Sequence, residues 1–85
     1  MKLYYEKEVE HIFCVVHQKW KGCNTSKHAF RAAYGFIRDG RKWEIGFTLF
    51  LGWKYPTDED AFYDAVEWCK EMIMELSNEC QACLR

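Results

Sequence analysis

Cys80 and Cys83, the thiols of CQAC, have the spacing with which two thiolates hold one tetrahedral zinc ion. His11, Cys14, His17, Cys23 and His28 are the other side chains able to complete such a site. None of them forms a second tightly spaced pair, which a four-ligand site normally displays in sequence. The expectation is therefore no cofactor, with Cys80 and Cys83 as ordinary thiols near a helix end. A redox role is disfavoured as well, because that chemistry places its thiols at a helix start, where the dipole lowers the thiol pKa.

Cys14 and His17 raise the question of a nucleophile and its base. Three residues apart, they point to opposite faces of a strand, and no third group is at hand to orient the histidine. The chain has no glycine-rich phosphate loop and no GxSxG or HExxH pattern. Its carboxylates gather on what reads as a solvated helix face, a poor setting for a general acid or base. The expectation is that this is not an enzyme.

Charge is segregated along the chain. From His17 to Tyr55 there are eight basic and two acidic side chains, and from Pro56 to Arg85 two basic and eight acidic, which nearly cancel in a net charge of −1. Within the basic part, aromatics alternate with cations: Lys19, Trp20 and Lys21, then Trp53, Lys54 and Tyr55. That combination can stack bases and neutralise phosphates, so these six residues are the candidates for nucleotide or single-stranded nucleic-acid contact. The structural alternative is that the aromatics close a small core while the lysine stems lie over it.

The elements that must position these groups follow from periodicity. In AFRAAYGFIRDGRKWEIGFTLFL, Asp39-Gly40 has the composition of a two-residue hairpin turn. A register built on it pairs Phe36 with Trp43, Tyr34 with Ile45, Ala32 with Phe47 and Phe30 with Leu49, all on one face. The other face holds Arg31, Ala33, Gly35 and Ile37 opposite Thr48, Gly46, Glu44 and Lys42. A rival helix capped by Thr25 or Ser26 would put Gly35 in its interior at about 1 kcal/mol relative to Ala, and would leave the alternating Trp43–Leu51 run without a partner. After Pro56, Phe62, Val66, Cys69, Ile73, Leu76 and Cys80 recur at spacings of three and four, with carboxylates in the first turn, as an amphipathic helix requires. The segment around IFCVV reads as a third strand, short, apolar and β-branched, with a helix as the alternative because Val9, Ile12, Phe13, Val16 and Trp20 also fit a helical stripe.

The expected fold is therefore α+β: a three-stranded antiparallel sheet in the order β-β-β-α, with the C-terminal amphipathic helix packed on one face, and residues 1–85 forming a single domain. No run of about 18 apolar residues suggests a membrane span. The opening MKLYYEKEVE lacks the apolar stretch of a secretion signal, and five cysteines make an odd set for a disulfide framework. A cytoplasmic location is expected.

Protein binding is the function class that remains. The hairpin face with Arg31, Ala33, Gly35, Lys42 and Gly46 lacks bulk, so another backbone could approach it closely. The acidic helix face, Asp60, Asp64, Glu67, Glu71 and Glu75, offers a second surface. By type, a short non-enzymatic chain with segregated charge looks like the small inhibitors or adaptors of phages and mobile elements that block a host defence factor. A protein partner is expected, with nucleic acid as the alternative and a zinc-stabilised module as a third reading. An aromatic sheet with an exposed edge is also able to pair with itself as a homodimer.

Overall fold

Two tight turns fold the N-terminal two thirds of the chain into hairpins. Asp39 and Gly40 both take positive φ, 53° and 74°, the geometry that matches the twist of the strands they join. Glu10 also takes a positive φ, 56°, in a second two-residue turn that pairs Val9 with Ile12. The computed structural model describes residues 3–21 and 27–83, with the side chains of residues 20, 21 and 79–83 outside that description. Its strands are β1 (Tyr4–Val9), β2 (Ile12–Lys21), β3 (His28–Arg38) and β4 (Arg41–Leu51). A short 3-10 turn (Gly52–Lys54) leads to the helix α1 (Asp58–Cys83).

The α+β class and the C-terminal helix are as expected, but the sheet has four antiparallel strands in the order β1-β2-β3-β4, not three. The extra strand is YYEKEV. Nothing like Asn-Gly or Asp-Gly announces its turn, because a glutamate takes the left-handed position that glycine or asparagine usually fills. The turn is held from outside, the Ile37 N–H donating to the His11 carbonyl at 2.7 Å.

The β3-β4 register also differs from the expected one. It holds from the turn as far as Gly35 opposite Glu44, then shifts by one residue, so that Tyr34 faces Gly46 and Ala33 faces Phe47. Ile45 is the extra, unpaired residue of a β-bulge. A one-residue shift sends every following side chain to the other face. Phe47 and Leu49 therefore leave the helix side, and Gly46, Thr48 and Phe50 take their places. Gly46 now lies beneath the Tyr34 ring, 2.6 Å from where its Cβ would be. A Cβ on Gly35 would collide with the Trp43 carbonyl. The two glycines are thus filled positions on opposite faces, not one open small-residue face.

The helix lies across β2 and β3 and seals a core of Ile12, Cys14, Val16, Phe30 and Ala32 against Phe62, Val66, Cys69 and Ile73. Ala61 and Ala65 are fully buried and let the helix approach the sheet closely. Trp68 extends the cover toward β4, its ring edge-on to Tyr34 at 5.4 Å and to Phe50 at 6.3 Å. Burial of each large apolar side chain contributes about 1.5 to 3 kcal/mol. At the start of the helix, Thr57 Oγ1 accepts from the Asp60 N–H at 3.2 Å, a side-chain cap. Asp58 ties the helix to β3, its two oxygens accepting from the His28 backbone N–H at 3.0 Å and meeting His28 Nδ1 at 2.9 Å.

Candidate functional site

Among the described residues no second layer covers the face of the sheet away from the helix, yet Phe13 is buried there. Its cover comes from long charged side chains. Lys42 places its ammonium 5.7 Å from the Phe13 ring centre and pairs with Glu6 and Glu8, each at 3.4 Å. Strands about 4.8 Å apart put β4 and β1 about 14 Å from one another. Both stems must therefore lie along the face to meet, shielding the ring and the glycine backbone beside it.

A second arrangement lies toward the far end of β4. Arg31 makes a two-pronged bond to Glu44, at 2.7 and 2.6 Å, and its guanidinium stands 4.3 Å over the Phe47 ring. The carboxylate raises the Arg31 pKa, and the guanidinium in turn holds the Glu44 carboxyl below its ordinary range. Ala33, between these groups in the register, is fully buried. Arg31, Ala33, Gly35 and Lys42 thus do share this outer face, as expected, while Gly46 belongs to the other.

The residues that dominate the exposed surface were not among the expected ones. Trp43 is 56% exposed, Ile45 51%, Phe47 55% and Leu49 47%. All four are on β4, an edge strand. Trp43, opposite Phe36, stays on the helix side where the helix does not cover it, and with Ile45 it lines an open depression at the turn end of the sheet. Phe47 and Leu49 stand on the outer face beside Arg31. The sequence signal for this surface is the uncharged run IGFTLFL, whose alternation alone points Phe47 and Leu49 inward unless the bulge is known.

Asp60, Asp64, Glu67, Glu71 and Glu75 are all exposed, as expected for a solvated helix face. Glu67 is 3.4 Å from Lys70, and the Asp64 carboxylate lies close enough to Tyr55 to help raise the phenol pKa, after burial. Tyr63 and Met74, at 61% and 65% exposure, interrupt the acidic surface. Of the nucleic-acid candidates, Lys19, Trp53 and Lys54 are exposed and Tyr55 is half-buried, packing against the core. The side chains of Trp20 and Lys21 lie outside the described residues. Two cations of the basic middle, Arg31 and Lys42, are engaged by carboxylates.

Cys14 and Cys69 face each other as buried free thiols. A hydrogen bond from Cys69 favours the Cys14 thiolate, while the same contact and burial hold Cys69 firmly protonated. Strand alternation directs His17 to the face opposite Cys14. Among the described residues no three His, Cys, Asp or Glu side chains are grouped to hold a metal. Cys23 and the side chains of Cys80 and Cys83 lie outside them. No described helix is long and apolar enough to cross a membrane. Comparison with protein-family models, with curated proteins and with solved structures found no match to this chain.

Proposed function

We propose that this protein acts by binding another protein, as an inhibitor or adaptor, through the apolar outer side of β4 and the Arg31 platform beside it. The observation that supports this reading is the concentration of large exposed apolar side chains on one edge strand. Such side chains contribute little to the fold where they stand, and exposed apolar side chains beside charged ones, as Phe47 and Leu49 are beside Arg31, mark an interaction site. Aromatic and arginine side chains in one patch are also the types that most often dominate binding energy. The acidic helix face is a second surface, suited to a basic partner.

Capture experiments with the native host extract separate the two surfaces. Proteins retained by the wild-type chain should be lost with Phe47→Lys combined with Leu49→Lys, and kept when Glu67, Glu71 and Glu75 are each changed to Lys. Loss only with the helix variants would move the site to the acidic face, and identical retention by all three chains would contradict both. The nucleic-acid alternative keeps the exposed Lys19, Trp53 and Lys54. It requires that tryptophan fluorescence be quenched by single-stranded oligonucleotides at low salt and recover as salt is raised.

A further inference from the structure

The two edges of the sheet are built differently. β1 carries Glu6, Lys7 and Glu8 within its six residues, and charges along an edge strand oppose pairing with another sheet. β4 divides in two. Its opening holds Arg41, Lys42 and Glu44 and runs into the bulge, whereas Ile45–Leu51 continues for seven residues without a charge or a proline. Among the described residues nothing pairs with the outer edge of that stretch, which leaves one row of strand N–H and C=O groups beside half-exposed Phe47 and Leu49.

The run is complementary to itself. Laid antiparallel on a copy, with Thr48 at the two-fold axis, Phe47 faces Leu49 on either side of the axis. On the helix side Thr48 meets Thr48, a pair able to hydrogen-bond across strands. No charged side chain stands opposite anything within the run. The pairing also has natural limits, since the bulge bounds it at one end and the chain leaves the sheet at Gly52–Lys54 at the other. The pairing brings Phe47 and Leu49, 55% and 47% exposed, edge to edge across the axis on the outer face.

From these features we infer that β4 pairs with β4 of a second copy of this chain, joining two four-stranded sheets into one of eight strands. This rests on the protein-binding reading and names the first occupant of that site. The two-fold axis stands normal to the sheet, so both helices lie on one side and both outer faces on the other. The apolar surface offered to any further partner is then assembled from Arg31, Phe47 and Leu49 of two copies.

Light scattering on the full chain at about 100 µM, a concentration at which mass action favours a micromolar dimer, should give twice the 10.2 kDa of one chain. Thr48→Lys sets two ammonium groups against each other at the axis and should return the mass to 10.2 kDa with an unchanged far-ultraviolet spectrum. Should that variant lose its fold, Leu49→Lys, at a half-exposed position, makes the same test. A wild-type chain of single mass, or a folded Thr48→Lys chain that stays double, overturns the pairing. A monomer that still captures a protein through Phe47 and Leu49 removes the pairing and leaves the binding reading. A dimer whose captured proteins are indifferent to those residues supports the pairing and removes the reading of a further partner.

Discussion

Glu10 holds a left-handed backbone angle, φ 56°, that costs a residue with a Cβ about 1 to 2 kcal/mol. Glu10→Gly should therefore stabilise the protein by about 1 kcal/mol and raise its melting temperature by about 4 to 8 °C. A melt that is unchanged or lower would show that the turn is relieved elsewhere. The same residue explains why β1 was not legible: the turn gives no chemical sign in the sequence, while Asp39-Gly40 gives a plain one. Glu44 supplies a pH-dependent test. Arg31 holds its carboxyl below the ordinary value of 4.5, so the pair stabilises the fold above that pH and the contribution is lost as pH falls through the depressed folded value. Both groups are partly solvated, which limits the effect to under about 1 kcal/mol. Glu44→Gln should melt below the wild type at pH 7, and the gap should close below about pH 4.5. A gap that persists in acid would assign the loss to packing on Phe47 instead of charge.

At the scale of elements, α1 carries the core. Ile73 is 6% exposed between the helix and the sheet, so Ile73→Asp both removes apolar packing and buries a carboxylate without a partner. A cost of at least about 3 kcal/mol against a total of about 5 to 15 removes a large share of the stability and should lower the melting temperature by about 12 °C or more. A cooperative, near-native melt would contradict this packing. Thr57→Ala removes the cap on the Asp60 N–H and should cost about 1 kcal/mol by thermal melting. The helix was readable because Phe62, Val66, Cys69 and Ile73 repeat at its period and the cap precedes them. The hairpin was readable only as far as Gly35. There the bulge shifts the register, and period-two alternation has no means of registering one extra residue. That shift decided the candidate site. It carried Phe47 and Leu49 from the expected core to the surface, and it set Gly46 under Tyr34.

Across the whole molecule, the charge division visible in the sequence becomes a division of surfaces. The exposed acids of α1 face away from the sheet, and the cations Arg31 and Lys42 on the outer face are held by Glu44, Glu6 and Glu8. The large exposed apolar side chains of β4 on that face are Phe47 and Leu49. Pairing through that edge would leave two acidic helices side by side and a doubled apolar face opposite them. Amide hydrogen exchange reads the edge directly. As protein concentration rises from about 1 to about 100 µM, amides within Ile45–Leu51 should gain protection with the progress of dimer formation, while those of the charged edge Tyr4–Val9 should not change. Exchange in Ile45–Leu51 that is independent of concentration, or protection gained equally at Tyr4–Val9, would contradict the assignment of β4 as the edge on which this protein assembles.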